Sequence, residues 1–348
     1  MPYGIINSDL MTTSDGVSSA GVYGLKNRLI NGSMSISQGA AGATITPAVT
    51  SAYATNYPVD RFQVIVGAAS KLTTAQSSVA ATGFNFSTLI TSSSAYTVGA
   101  GEVFVIRQNI EGFNTADLGW GAAGAAAVTL SFWVRSSLTG TFGGSLQNSA
   151  STRSYPFTYT ISSANTWELK SVTIAGDTTG TWIGATNGIG LRVNFGLGVG
   201  STYSGTAGAW AGSDYDSATG ATSVVGTNGA TFYLTGVMLE KGSTATSYDY
   251  RSYGTELQLC QRYYEVGSSF YQVCAISSSS GISQQFSVTK RSAATMAFSN
   301  ITYSAGSALT DYTSSMASPA GVNSFAFYFT PSSNAGFVKF TWTASIEL

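Results

Sequence analysis

The chain has 348 residues, a formal net charge of −1 and only 9% charged residues. Coiled coils and helical repeats need charged outer faces, so this charge deficit argues against both classes. Lys and Arg are scattered singly, which argues against nucleic-acid binding, and no apolar run approaches the roughly 18 residues of a membrane-inserted helix. The 19 Tyr, 18 Phe and 6 Trp, with abundant Thr and Val, suit pleated sheets and predict an all-β protein.

Residues 1–26 are predicted to form an extended arm. They show no sustained hydrophobic period and contain glycines at positions 4, 16, 21 and 24. The segment has neither the basic region nor the apolar region of a signal peptide, so we expect no secretion signal. The alternative interpretation of this segment is a frayed terminus.

Residues 27–250 are predicted to form a β-sandwich of the jelly-roll type. Short segments alternate apolar and polar residues at period two, and glycine-containing turns separate them. No helical pattern alternates with these segments, which argues against a parallel α/β sheet and favours a sandwich or jelly roll. The clearest predicted strands cover residues 60–68, 102–112, 127–137, 167–176, 188–198 and 230–240.

The candidate ligand-binding residues lie in the loop 199–229, between the last two of these strands. A loop of this length inside a compact domain usually has a function or is disordered. An aromatic ring there can stack on a sugar face, while Asp or Asn side chains form hydrogen bonds with the sugar hydroxyls. The alternative is that the loop aromatics pack back onto the sandwich. The predicted glycan-binding residues are Tyr203, Trp210, Asp214, Tyr215, Asp216 and Asn228.

A short helical joint is predicted over residues 251–266. In this stretch Leu257, Cys260 and Tyr264 recur at i, i+3 and i+7, which is a helical spacing. Residues 267–348 then return to strand-like patterns and are predicted to form a second, smaller β domain.

The residue types of the chain restrict its chemistry. There is no histidine, which excludes Ser-His-Asp and Cys-His catalysis and His-ligated zinc. Two cysteines cannot build the usual four-ligand zinc site, and we expect Cys260 and Cys274 to be free thiols. A glycosidase needs only two carboxylates about 5–9.5 Å apart, so composition alone leaves that activity open. We nevertheless predict no enzyme activity, no cofactor and no metal.

Several segments stand in a characteristic order along most of the chain. They read NRLINGSMSISQ, VDRFQV, QNIEG, VTLSFWVRSSLTGTF, GDTTGTW, FYLTGVMLEKGSTAT and ELQLCQRYY. In order and spacing they resemble the successive landmarks of bacteriophage tail-fibre and virion-appendage proteins. The pair NGSM and FYLTGVMLE also resembles the framing strands of jelly-roll carbohydrate-binding modules. The C-terminal part, with FSVTKRSAATMAFSN and TWTASIEL, is similar to the small β domains that close such fibres.

The resemblance implies a non-enzymatic structural protein of the virion, made in the cytoplasm of the bacterial host. It implies a homotrimer whose arm attaches to a baseplate, tail or capsid protein and whose β domains bind a glycan of the host cell surface. The alternative is a capsid decoration or head-fibre (cement) protein with no receptor role. A third reading, a cell-surface carbohydrate-binding protein or hydrolase accessory module, is disfavoured because no secretion signal is seen.

The same resemblance bears on calcium and on the trimer. Carbohydrate-binding modules often hold a structural Ca²⁺ beside the framing strands, but no carboxylate stands at positions 33, 34, 235 and 236 here. In a trimer the helical joint would lie near the threefold axis, where three copies bury their apolar side chains and an arginine pairs with a neighbour's glutamate. The alternative is a helix packed on its own sandwich. The predicted contact residues are Leu257, Cys260, Arg262 and Tyr264.

Overall fold

The structure is a computed structural model, and it describes residues 26–47, 54–272, 280–303, 307–308, 312–313, 321–331 and 337–347. Of the predicted N-terminal arm, only Lys26 lies within these ranges. They contain twenty β-strands and one α-helix, so the predicted all-β class is confirmed. Over the same residues, no helix has the length and apolar character needed to span a bilayer.

Among the described residues, thirteen strands precede the helix. In chain order they are β1 (Ala54–Val59), β2 (Phe62–Val66), β3 (Leu72–Ser77), β4 (Ser87–Ser92), β5 (Val103–Glu111), β6 (Val128–Ser136), β7 (Gly140–Gln147), β8 (Ser154–Ile161), β9 (Glu168–Ile174), β10 (Ile189–Val199), β11 (Ser204–Gly205), β12 (Ser217–Ala218) and β13 (Thr231–Lys241). The six predicted strands are confirmed as β2, β5, β6, β9, β10 and β13. Each end lies at most two residues from its predicted position.

Two antiparallel sheets face each other and form the predicted sandwich. One has six strands in the order β1-β2-β5-β10-β7-β8, and the other has five in the order β3-β4-β13-β6-β9. The ring of Phe132 on β6 lies 4.9 Å from that of Tyr159 on β8 and 5.0 Å from that of Phe195 on β10. Likewise, the rings of Phe142 on β7 and Phe232 on β13 are 6.0 Å apart. All five rings are buried, so the core lies between the two sheets.

The predicted helical segment is confirmed, but it is shorter than its sequence pattern suggests. Helix α1 covers Tyr253–Gln261, and the Oγ of Ser252 accepts a hydrogen bond from the backbone N–H of Thr255 at 3.4 Å, which caps the N-terminus. Tyr264 already belongs to the next strand. Its i+7 spacing from Leu257 is therefore not a helical relationship, and the prediction was wrong on this point.

The strands after α1 form two further sheets. They are β14 (Tyr264–Gln272), β15 (Ser280–Gln285), β16 (Thr295–Tyr303), β17 (Ser307–Ala308), β18 (Tyr312–Thr313), β19 (Ser324–Pro331) and β20 (Phe337–Ser345). One sheet has the order β14-β20-β16-β17 and the other β15-β19-β18. The rings of Phe325 on β19 and Trp342 on β20 lie 5.0 Å apart and join these sheets. The division of the chain into domains after residues 26, 250 and 266 stays a prediction.

Helix α1 packs on the sandwich of its own chain. Cys260 is fully buried and clusters with Ile30, Ile36 and Tyr263, and Leu257 is half-buried against the same cluster. The thiol of Cys260 is therefore enclosed by residues of its own chain and does not face outwards. Burial raises the pKa of this thiol well above its usual value. The homotrimer itself stays a prediction.

Arg262 has its partner within the chain. Its Nη2 and Nε donate to the carboxylate of Glu111 on β5 at 2.6 and 3.0 Å, and the hydroxyl of Tyr263 donates to the same carboxylate at 2.6 Å. Within the chain, this guanidinium therefore forms an ion pair between the joint and β5, and its predicted pairing with a glutamate of a neighbouring copy stays a prediction. The sequence could not reveal Glu111, which lies more than a hundred residues upstream.

Buried charges gather where the sandwich meets the C-terminal strands. Arg61 pairs with Glu347, and its guanidinium lies 3.6 Å from the ring centroid of Tyr263. Nearby, Lys290 pairs with Glu265, and Arg291 donates to the carbonyls of Asn187 and Ile346 at 2.9 and 2.8 Å. In a chain this poor in charge, these residues link segments that are remote in sequence, which explains their concentration near the joint.

Candidate functional site

The outer face of the six-stranded sheet carries a polar row of side chains. On β10, Val193, Phe195 and Leu197 are buried in the core, so Arg192 and Asn194 point to the opposite face. The strand register places Asn194 opposite Arg107 of β5 and Ser145 of β7, and Arg192 opposite Gln147 of β7. Because these residues share one face, three adjacent strands present polar side chains side by side.

Hydrogen bonds connect this row into one network. Arg107 Nε donates to Asn194 Oδ1 at 2.6 Å. The amide of Asn194 donates in turn to Ser145 Oγ and to Gln147 Oε1, both at 2.9 Å. Each side chain is thereby held in place by a neighbour on the next strand, so the surface is preorganised.

The loop that carries the predicted ligand residues folds over this network. Gln147 Nε2 donates to Asp214 Oδ1 and to the carbonyl of Tyr215, both at 2.9 Å, and Arg107 Nη2 donates to Asp216 Oδ1 at 2.5 Å. A pocket of about 150 Å³ remains between loop and sheet, and we call it the sheet pocket. It is lined by Ile65, Val103, Arg107, Ser151, Tyr203, Asp214 and Asp216.

The charges of the sheet pocket are balanced and partly desolvated. Burial raises the pKa of the Asp216 carboxyl above its usual value, and the guanidinium of Arg107 offsets part of that rise. Burial also lowers the pKa of Arg192, whose Nη1 donates to Ser151 Oγ at 2.6 Å. Two arginines thus stand near two aspartates, an arrangement that offers both donors and acceptors to a neutral polar ligand.

The structure brings together three of the six predicted ligand residues. Tyr203, Asp214 and Asp216 line the sheet pocket. Tyr215 lies beside it, contributing its carbonyl to Gln147 while its half-buried ring covers Gly205, where a Cβ atom would clash with the ring. Of the six, Asn228 alone is exposed, and it does not line the sheet pocket.

Trp210 lies elsewhere, in a cluster of aromatic rings. Its ring is 5.3 Å from those of Trp120 and Tyr155 and 5.4 Å from that of Trp182. The indole N–H donates to the carbonyl of Ala175 at 2.8 Å, and the side chain packs against the core. This is the alternative in which a loop aromatic packs back onto the sandwich.

Sequence reasoning missed the strand residues of the site. Arg107, Arg192, Asn194 and Gln147 lie on strands that were predicted or observed, yet none was proposed as a ligand residue. The available signal was the set of polar residues that alternate with apolar ones in the segments VIRQN and LRVNF, since these polar residues face away from the core. That signal marks an exposed face, but it does not say which strands are neighbours.

A second group of acidic residues lines a larger cavity at the joint, of about 470 Å³. Burial raises the pKa of both Asp60 and Glu347, which line it. Asp60 accepts hydrogen bonds from the backbone and side chain of Gln38 at 2.7 and 2.5 Å, and Glu347 pairs with Arg61. Both carboxylates are therefore engaged in holding the joint together. Among the described residues, no three Cys, Asp or Glu side chains are grouped to hold a metal ion.

Comparisons with known proteins give remote structural likenesses only. No protein-family profile matches the sequence, and no curated protein matches it. Its fold is similar to the enzymatically active domain of tailspike protein 4 from bacteriophage CBA120, with a TM-score of 0.30 and 11% identity over 62% of this chain and 21% of that one.

Two carbohydrate-binding modules show likeness of the same order. TmCBM61, solved with β-1,4-galactotriose, has a TM-score of 0.29 and 8% identity over 62% of this chain and 99% of the module. The family 11 module of Clostridium thermocellum, solved with a mixed-linked tetrasaccharide, has a TM-score of 0.28 and 8% identity over 53% of this chain and 91% of the module. At these values the likenesses assign no function to this chain.

Proposed function

We propose that this chain is a non-catalytic glycan-binding protein of a bacteriophage virion, a tail fibre or related appendage, and that it binds a host-surface glycan in the sheet pocket. The observation that supports glycan binding is the pocket itself. Tyr203 supplies a half-buried ring, and Arg107, Asp214 and Asp216 supply fixed donors and acceptors around one small cavity.

The chemistry of the sheet pocket suits a sugar better than a charged metabolite. Sugar hydroxyls both donate and accept hydrogen bonds, and the C–H face of a pyranose packs on an aromatic ring. The buried Asp216 already neutralises Arg107, and Asp214 lies near Arg192. Because the two charge types balance, a neutral glycan meets no unpaired charge, whereas an ionic ligand would leave one uncompensated.

Replacing Tyr203 with alanine, or Asp214 with asparagine, should weaken glycan binding about tenfold or more, because each change removes a direct contact with the sugar. The ligand is first identified on a glycan array, and affinities are then measured by calorimetry. Tyr253→Ala is the matched control, since Tyr253 is 65% exposed on α1 and does not line the pocket. Equal affinities for all three variants and the unmodified protein would overturn the assignment of the pocket.

The virion location, the arm and the trimer are supported by the sequence resemblance. In this proposal the arm, residues 1–26, attaches to a baseplate, tail or capsid protein, and three chains associate through the joint. Labelling of purified virions with an antibody against the chain tests the location. If virions carry the protein and no glycan binds, the decoration or head-fibre role becomes the better description.

Replacing Leu257 with aspartate should convert a trimer into smaller species, because three carboxylates would meet near one axis. The oligomeric mass is measured by light scattering after size exclusion. Leu169→Asp serves as the control, since Leu169 is 57% exposed on β9. A folded Leu257→Asp variant that keeps the mass of three chains would show that the joint is not the trimer contact.

The protein should release no new reducing ends from the polysaccharide that it binds, with or without divalent metal ions. Among the described residues, burial raises the pKa of the carboxyls of Asp60, Asp216 and Glu347, and these are already bound to Gln38, Arg107 and Arg61, so none of the three is free to act as a general acid. A reducing-end assay measures this. Cleavage that is abolished by Asp216→Asn or Asp60→Asn would establish an enzyme instead.

A further inference from the structure

A separate cavity lies at one end of the sandwich, between the turn after β5 and the loop before β10. These strands are antiparallel neighbours, with Ile189 opposite Glu111, so the two connections emerge side by side. The cavity has a volume of about 280 Å³, against about 150 Å³ for the sheet pocket. Pockets for drug-sized ligands begin at about 300 Å³, so this smaller space suits a single small ring.

Two tryptophans form the wall of this cavity, which we call the tryptophan pocket. The rings of Trp120 and Trp182 lie 4.7 Å apart at an interplanar angle of 81°. Their indole N–H groups donate to the carbonyls of Ala126 at 2.7 Å and Thr179 at 3.1 Å. With the N–H groups already bonded, the two side chains offer the cavity their apolar ring surfaces and not hydrogen-bond donors.

Packing behind the pocket holds these rings in position. The ring of Trp210 contacts both of them at 5.3 and 5.4 Å and is itself anchored by its hydrogen bond to Ala175. The turn after β5 approaches the start of β10 closely at Gly190, where a Cβ atom would clash with the hydroxyl of Thr115. The pocket is therefore rigid, and a ligand would lose little affinity to the ordering of its walls.

The remaining lining is small and uncharged. None of the described residues that line the tryptophan pocket carries a charge. Ala116 and Ala185 are exposed and mark its mouth. The adjacent carboxylate of Asp117 pairs with Arg28 at 2.7 Å, so it is not available to attract a cation into the pocket. These features favour a neutral ligand with a flat apolar face.

We propose that the tryptophan pocket is a second glycan-binding site, which takes one neutral pyranose residue by stacking it on one of the two indole rings, with the other, nearly perpendicular ring at its edge. The apolar C–H face of the sugar covers that ring, while its hydroxyls stay at the open mouth in contact with water. The site goes beyond the proposed function because it needs no residue of the sheet pocket. A chain with two such sites would hold two sugars, and their simultaneous engagement would strengthen attachment to a glycan-coated surface.

The test uses the full chain and three neutral probes, the methyl pyranosides of glucose, galactose and mannose. Binding is followed by saturation-transfer NMR and by tryptophan emission. Ala116→Phe fills the pocket from its mouth without removing a core side chain, and it should weaken binding of the preferred probe at least tenfold. Ala123→Phe is the matched control, because Ala123 is exposed in the same connection and does not line the pocket. This control should bind as the unmodified protein does.

Further variants separate this proposal from the sheet pocket. If Ala116→Phe fails to fold, Trp182→Leu replaces it in the test. This variant removes a stacking ring instead of filling the space, and it should weaken binding of the preferred probe by the same factor. Tyr203→Ala, in the sheet pocket, should leave binding of the preferred probe to the tryptophan pocket unchanged. The proposal is overturned if no probe binds, if Ala116→Phe binds normally, or if Tyr203→Ala alone abolishes binding. If glycan binding instead disappears only in Ala116→Phe, the sheet pocket fails while the tryptophan pocket stands.

Discussion

Replacing Arg61 with methionine should lower the free energy of unfolding by about 3–5 kcal/mol, because it leaves a buried carboxylate without its partner. The Arg61 side chain is only 2% exposed and its ion-pair partner Glu347 is 12% exposed. The same guanidinium donates to the carbonyl of Asn109 at 2.7 Å and stacks on Tyr263. Methionine keeps the apolar stem of the side chain, so the change removes the guanidinium with its charge, its hydrogen bonds and its contact with Tyr263, but little of the packing. Denaturant unfolding measures the effect.

Two comparisons make this prediction specific. The double variant Arg61→Met/Glu347→Gln should recover part of the loss, since it removes the orphaned charge. Lys241→Met is the control for an exposed pair, because Lys241 is 48% exposed and 3.5 Å from Asp117, and it should change stability by less than about 1 kcal/mol. An Arg61→Met protein as stable as this control would show that the buried pair does not hold the joint.

The effect of Arg61→Met should also depend on pH in a defined direction. Burial raises the pKa of Glu347 above its usual value, and Arg61 opposes that rise, so losing Arg61 raises the pKa further. A carboxyl with a raised pKa in the folded state stabilises the fold below its unfolded pKa, and this contribution is lost as the pH rises through the folded pKa. The loss of unfolding free energy in the variant, relative to the unmodified protein, should therefore be largest at neutral pH and become smaller on mild acidification.

Replacing Trp210 with alanine should destabilise the protein by about 3–5 kcal/mol and produce a large drop in melting temperature. The indole packs against three aromatic rings and the core, and its N–H is bonded to Ala175. Thermal melting followed by circular dichroism measures the change. Tyr253→Ala removes an aromatic ring that is 65% exposed and should leave the melting temperature nearly unchanged.

This result would also settle the role of Trp210 in binding. If Trp210 were an exposed sugar-stacking residue, its loss would abolish binding and leave the melting temperature almost constant. In the structure the ring of Trp210 packs against those of Trp120 and Trp182. Its removal should therefore lower the stability of the protein and also the affinity of the tryptophan pocket for its ligand. A variant that melts like the unmodified protein would contradict the packing described for this ring.

Most of the fold could be predicted from local patterns. Strands such as β5 and β10 were found because a half-buried sheet alternates apolar and polar residues, and that alternation is a property of each strand alone. The helix was less certain, since it buries Glu256 together with Cys260. A glutamate looks like a surface residue in sequence, but here its carboxylate accepts a hydrogen bond from the backbone N–H of Asn31 and pairs with Arg251.

Only half of the candidate site could be predicted, because the sequence does not reveal the order of the strands in the sheet. Tyr203, Asp214 and Asp216 were identified because they share one loop that lacks strand alternation. Their partners Arg107 and Gln147 come from strands that are remote in sequence, and they meet only because β5, β10 and β7 are neighbours in the sheet. Single-sequence patterns give no strand order, so these contacts could not be inferred before the structure.

The enclosed thiol of Cys260 gives the joint a built-in chemical probe. A thiol reagent attacks the thiolate, and here the group is fully buried with a raised pKa, so it reacts only when the helix lifts from Ile30 and Ile36. With Cys274 replaced by serine, the rate of labelling at this one position would report how often the joint opens under native conditions. The rate of local opening of the helix could then be measured separately from the rate of global unfolding.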